Sequence, residues 1–265
     1  MNASAGVMQI FGFAAGGVLM AVLSPRGTLL AGAGLYLAAA VAARFGLTRR
    51  PPRAAGRLSV RDTWRGNARL WSSRQRRYVF LALWVPNGLI VGCESLFVPY
   101  APAHAGPLFA AAAAGMLAGD VLAGRFVPPS WRARLGVPLL LLLALPYTIF
   151  ALRPGPPVAM AVVAAASIGY GASLLLQERL MALTPEELSG HALGLHSSGM
   201  LTMQGVGALI AGTAAQLTSP ATAMAILTAA SAAVTLILGR LSDPRAPGHP
   251  RAFSFAANRP AQKRS

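Results

Sequence analysis

The sequence predicts an all-α polytopic membrane protein with about eight transmembrane helices and both termini in the cytoplasm. Three observations carry this expectation. The 265-residue chain is 55% hydrophobic and only 11% charged, whereas a soluble domain carries roughly 25% charged residues. Its apolar residues fall in blocks of the length, about 20 residues, that a helix needs to cross a bilayer. Its basic residues gather in every second loop between those blocks, the pattern that orients spans in a membrane.

The blocks run over about 4–23, 27–45, 78–101, 105–124, 135–152, 157–177, 192–217 and 220–239. Helix is the form expected for each, because backbone groups in lipid must be satisfied within the segment and the blocks lack the alternation of barrel strands. The first two blocks flank Ser24-Pro25 and define a two-helix unit, residues 1–45. They lack a basic leader and run straight into one another, unlike a signal peptide.

Residues 46–77 form an arginine-rich cytoplasmic linker that begins at Pro51-Pro52. Arg49, Arg53, Arg57, Arg61, Arg65 and Arg69 recur every four residues. That spacing places them on one face of a helix lying against anionic headgroups, with Asp62 available for local pairing. Residues 78–240 hold the other six blocks, with turns at Pro102 and Gly106, at Pro128-Pro129 and at Pro154 to Pro157. The tail, 241–265, is basic and rich in Pro, Ala and Asn, the composition of a disordered segment.

Net charge is +16, with pI about 11.8, but its distribution excludes nucleic acid as the intended partner. Arg44 through Arg77, then Arg125, Arg132 and Arg134, then Arg179, then Arg240 onward all fall on one set of loops, while the opposite set holds Arg26 and Arg153. These charges read as topology signals and lipid-headgroup anchors. The single cysteine, Cys93, rules out an intrachain disulfide and a cysteine-based metal site. His104, His191 and His196 do not cluster with acidic residues inside a span, so neither a metal, a cofactor nor an enzymatic site is expected. No Walker-type glycine loop is present to support ATP hydrolysis.

Polar residues inside spans are the natural candidates for function. Glu94 lies well within the third block, where an acidic group costs roughly 2.5–3.5 kcal/mol on insertion scales. Asn87 is seven residues earlier and so projects from nearly the same helix face; Pro86 and Pro99 can bend that span. An internal repeat supplies further candidates: Met8-Gln9, Gly12, Gly17 and Ser24-Pro25 recur without a gap as Met203-Gln204, Gly207, Gly212 and Ser219-Pro220. Repeats of this kind mark membrane proteins built from related halves. The glycines Gly12, Gly17, Gly207 and Gly212 allow close helix approach, and the amides of Gln9 and Gln204 can hydrogen-bond across it. Gln204, beside Ser197, Ser198 and Thr202, is also placed to contact a substrate.

The stretch Gly115-Met-Leu-Ala-Gly119-Asp120-Val-Leu-Ala-Gly124-Arg125 resembles the cytoplasmic-loop motif of the major facilitator superfamily, in the version between that family's eighth and ninth helices. Its Asp-to-Gly-Arg spacing is one residue longer than usual. Leu183-Thr-Pro185-Glu-Glu-Leu-Ser-Gly190-His-Ala-Leu-Gly194-Leu, followed by Met200 and Gln204-Gly-Val-Gly207, is similar to the tenth-to-eleventh helix junction of drug-efflux-like members. Two spans, a long basic linker and six spans match the last two helices of one six-helix half, the central loop and a complete second half. The family's first four helices have no counterpart, so the resemblance implies a truncated 2 + 6 arrangement.

The resemblance further implies secondary active transport at the plasma membrane, with proton-coupled efflux of a small organic compound. In that scheme Glu94 is the proton-linked group, Asn87 and Gln204 are cavity contacts, and Asp120 with Arg125, framed by Gly115, Gly119 and Gly124, forms a cytoplasmic gate. The alternative is a non-transporting truncated membrane protein, either a remnant or an assembly partner, with a second chain supplying the missing helices.

Overall fold

The computed structural model describes residues 3–46 and 59–241. Among these residues the secondary structure is helical throughout. Helix α1 spans Ala3–Gly46, α2 Val60–Ser72, α3 Arg74–Ser95, the short α4 Phe97–Tyr100, α5 Ala105–Val121, α6 Pro129–Ala144, α7 Pro156–Ser167, α8 Ala172–Ala182, α9 Ser189–Leu217 and α10 Pro220–Leu241. Tight 3-10 turns at Leu145–Leu152 and Ile168–Gly171 extend α6 and join α7 to α8.

Six stretches among the described residues are long and apolar enough to cross a membrane: Arg26–Gly46, Arg74–Tyr100, Pro102–Phe126, Pro129–Leu152, Pro156–Ala182 and Pro220–Leu241. The two remaining expected spans, 4–23 and 192–217, are helical but fall outside this set. The second of them is the 29-residue α9, whose Gln204, Gln216 and interspersed Ser, Thr and Gly dilute its apolar character.

The boundaries follow from local chemistry. Pro129, Pro156 and Pro220 each open a helix, where a missing N–H costs nothing and the ring presets φ. Ser219 Oγ accepts from the Thr222 N–H at 3.2 Å and caps α10, as short hydroxyl side chains do at helix starts. The repeated Ser-Pro pair behaves differently in its two copies. At Ser219-Pro220 the chain turns between α9 and α10, which pack on each other. At Ser24 a single non-helical residue, φ 67° and ψ 163°, interrupts the 44 residues of α1.

The core is organised around α3. It packs on α9 and α10, while α5 packs on α7, and α6 packs on α8 and α10. Buried Phe80, Leu83, Ile90 and Cys93 make α3 the most enclosed of the candidate spans. Its seam with α9 is set by glycine. A Cβ on Gly92 would lie 2.6 Å from the Gly207 carbonyl oxygen, Gly88 packs on the Met203 carbonyl, and Gly207 in turn packs on the Gly88 carbonyl. Such backbone-on-backbone contact is the small-residue packing of membrane helices. By contrast α1 meets the bundle chiefly along α5, and the apolar window of Arg26–Gly46 is not buried at all.

The expected arginine-faced linker helix is present as α2. Arg61, Arg65 and Arg69 are exposed on it, and Asp62 pairs locally with Arg65 at 3.4 Å; Arg49, Arg53 and Arg57 lie outside the described residues. Helix α2 docks through the fully buried Leu70 and through Trp71, whose ring stacks on Phe80 at 6.0 Å. Arg76 secures the joint by donating to the carbonyls of Leu70 at 3.1 Å, Arg69 at 2.7 Å and Leu183 at 3.1 Å.

At the opposite end Arg153 closes the Leu145–Leu152 turn with φ 49° and ψ 58°. This left-handed conformation costs a side-chain-bearing residue roughly 1–2 kcal/mol. Arg153→Gly is therefore expected to stabilise the protein by about 1 kcal/mol, less the entropy that glycine gains on unfolding, read as a raised midpoint in thermal unfolding of the detergent-solubilised chain.

Candidate functional site

Glu94 occupies the next-to-last position of α3, half-buried, and its Oε1 accepts two phenol hydrogen bonds. Tyr170 donates at 3.0 Å and Tyr147 at 3.4 Å. Both rings are buried. The tight turns place them: Tyr147 follows Pro146 in the Leu145–Leu152 turn, and Tyr170 sits between Gly169 and Gly171 in the next. Gly169 is needed there because a Cβ would overlap the backbone of Leu139 and Leu143. One carboxyl on α3 is thus held by hydroxyls from the two segments that follow α6 and α7. Phenol O–H groups are donors suited to a carboxylate, and a protein supplies such partners when an acidic group stands inside a span.

Beside it, Cys93 is fully buried and fixes α10, with its sulfur 3.6 Å from the Met224 carbonyl and 3.9 Å from Thr228 Oγ1. This is a packing role, in keeping with an enclosed thiol.

Asn87 and Gln204 come together. Gln204 Nε2 donates to Asn87 Oδ1 at 3.0 Å, linking α9 to α3 within the glycine seam. Asn87 is buried and Gln204 half-buried. Their bond is separate from the Glu94–tyrosine group, so the polar stripe on α3 serves two neighbouring sets of helices. Of the repeat residues, Gly207 is a close-approach glycine, whereas Gly12 and Gly212 face open space; the Gln9 side chain and the surroundings of Gly17 lie outside those described.

The glycines of the loop motif also prove to be contact points. Gly115 packs on the Ala164 carbonyl and Gly119 on the Ile168 carbonyl, closing α5 onto α7 and the turn beyond it. Asp120 is half-buried and Arg125 exposed, and among the described residues they form no ion pair. Gly124 and Arg125 lie in a π turn, Leu122–Phe126. A π turn accommodates one residue more than an α turn, which accounts physically for the lengthened Asp-to-Gly-Arg spacing.

The ionic contact at this end is one that sequence reasoning missed. Arg132 Nη1 meets Glu178 Oε1 at 2.6 Å, while its other nitrogens donate to the carbonyls of Val127 at 3.1 Å and Gly124 at 3.2 Å. It therefore fastens the α5–α6 connection to α8. Arg132→Ala is expected to cost about 2 kcal/mol by stripping these charge-assisted bonds. Glu178→Gln, removing only a partly exposed ion pair, should cost about 0.5 kcal/mol. Thermal unfolding of both variants checks the order.

These features define a polytopic helical membrane protein with polar groups held among its spans. A family model described as Major Facilitator Superfamily matches residues 1–208, and the chain belongs to that superfamily. It is accordingly a multi-pass membrane protein of a transporter family. Neither the curated proteins nor the solved structures give a match.

Proposed function

We propose that the chain is a proton-coupled secondary transporter that exports a small organic compound across the plasma membrane, with Glu94 as the proton-carrying group. The observation that supports this reading most is the single carboxyl of α3 shared by Tyr147 and Tyr170 from two other segments. A proton arriving at or leaving Glu94 changes the bonds that join three pieces of the bundle, which is how a titrating group inside a membrane couples to helix motion. Asn87 and Gln204 provide amide donors and acceptors at the α3–α9 seam for a polar group of the substrate. At the arginine-rich end, Asp120 precedes and Arg125 lies within the π turn that Arg132 and Glu178 secure, and together they form the cytoplasmic gate.

In this reading the chain crosses the membrane eight times, its termini are cytoplasmic, and the linker arginines rest on anionic headgroups. Reconstitution into proteoliposomes enclosing a pH-sensitive dye tests it. Addition of a series of amphiphilic organic compounds should produce substrate-dependent proton flux.

A second reading has its own observation: the uncovered apolar stretch Arg26–Gly46 fits an assembly partner whose α1 is covered by another chain. A failure to move protons or substrate, together with a stable larger complex in mild detergent, would favour that reading.

A further inference from the structure

Helix α2 has a wider apolar edge than its seat on the bundle covers. Its rotation about its own axis is fixed on one side. The His191 ring of α9 lies against Gly66, where a Cβ would come within 2.7 Å of Nε2, and that nitrogen is 3.2 Å from the Thr63 carbonyl oxygen. Leu70, on the same side, is fully buried. Further round, Val60, Trp64 and Trp71 share one edge, because steps of four and seven residues return to nearly the same side of a helix. Trp71 is engaged by the bundle, stacked on Phe80 and with its ring 5.8 Å from that of Trp84. Val60 and Trp64 continue the edge past the bundle, where they are 76% and 71% exposed.

Charge and position indicate what covers that edge. Arg61 and Arg65 border it one residue further round and are exposed; Asp62, the one acidic residue of α2, answers Arg65. The candidate span Arg74–Tyr100 begins two residues after α2 ends at Ser72, so α2 sits where the chain enters the membrane. An apolar edge that bears a tryptophan and is flanked by arginines is the make-up of a helix lying in the membrane–water boundary. Water would leave both apolar side chains hydrated, whereas an anionic boundary accommodates the indole ring and the guanidinium groups together.

We infer that α2 is a membrane-seated helix whose Val60 and Trp64 enter the interfacial region of an anionic leaflet while Arg61 and Arg65 bind the lipid phosphates. This rests on the headgroup reading of the linker arginines and adds to it an inserted apolar edge, which that reading does not require. Glu94 plays no part in it.

Nitroxide labels at Val60→Cys, Trp64→Cys and Asp62→Cys, one at a time in the full chain, test the assignment. The fully buried Cys93 stays in place, and the unsubstituted chain gives the background. In phosphatidylglycerol vesicles, labels at 60 and 64 should collide with oxygen in preference to a water-soluble nickel chelate. The label at 62, on the opposite side of α2, should show the reverse preference. In phosphatidylcholine vesicles, or in phosphatidylglycerol with Arg61→Gln and Arg65→Gln combined, nickel access at 64 should rise at least about fivefold, the factor that one arginine supplies at an anionic surface. Nickel access as high at 64 as at 62 in the anionic vesicles would overturn the insertion. If native mass spectrometry then still showed a preference for phosphatidylglycerol that the arginine substitutions remove, the headgroup reading alone would stand. Shielding of position 64 from oxygen and nickel alike would overturn the assignment in favour of a covering protein surface, such as a second copy of the chain. Insertion indifferent to lipid charge and to both arginine substitutions would overturn the anionic partner.

Discussion

Glu94→Gln is expected to abolish substrate-dependent proton flux in proteoliposomes while leaving the protein folded. Glutamine keeps the shape of the side chain, and its carbonyl oxygen can still accept from Tyr170 and Tyr147. What it removes is the capacity to bind and release a proton. Stability should therefore change by less than about 1.5 kcal/mol, the net worth of one hydrogen bond, whereas proton flux should fall to the level of empty vesicles. Tyr170→Phe provides the graded comparison: it removes the shorter of the two bonds but leaves the carboxyl, so coupled flux should be altered without being eliminated. Undiminished proton flux in Glu94→Gln would remove Glu94 from the coupling step.

Gly207→Ala should produce the largest loss of folded protein among single substitutions in the bundle. The added methyl would occupy the place of the Gly88 carbonyl, and both partners are helix backbones that cannot rotate aside as a side chain could. The helices must separate, which undoes the neighbouring contacts of Gly88 with Met203 and Gly92 with Gly207. Overpacking costs typically 1–3 kcal/mol; the upper end is expected because the loss also reaches the Asn87–Gln204 bond. Gly12→Ala and Gly212→Ala are the internal controls. Both positions face open space, so alanine there should be neutral or gain up to about 1 kcal/mol of helix propensity. Thermal midpoints and monodisperse yield in detergent, measured side by side, decide whether the seam or the mere count of glycines governs folding.

These expectations show how far the sequence alone reaches. Span-length apolar blocks and alternating basic loops are properties of the chain itself, and they anticipated a helical polytopic protein whose family the comparison then showed. The arginine spacing likewise announced the exposed face of α2, because a helix surface repeats every three to four residues. Glu94 was legible because charge is costly within a span. Its partners were not: Tyr147 and Tyr170 count as apolar in a hydropathy reading, and only the tight turns around Pro146 and Gly169 bring their hydroxyls to one oxygen. The repeat singled out Gly207 and Gly212 equally, yet one is pressed against a carbonyl and the other is open, a distinction set by which helix lies opposite. The motif at Asp120 gave no sign of the ion pair that the described residues do show at this end, for a similar reason. Arg132 and Glu178 are 46 residues apart, and no local spacing signals their meeting.

The anchoring of α2 has a mechanical consequence. Leu70, Trp71 and the three carbonyl bonds of Arg76 weld it to α3 and to the turn before α9. The sequence separation of Gly46 and Ser59 caps the distance between these two described ends at roughly 45 Å. The end of α1 is thereby confined to a radius comparable with the thickness of one membrane, drawn about a fixed post on the six-helix bundle.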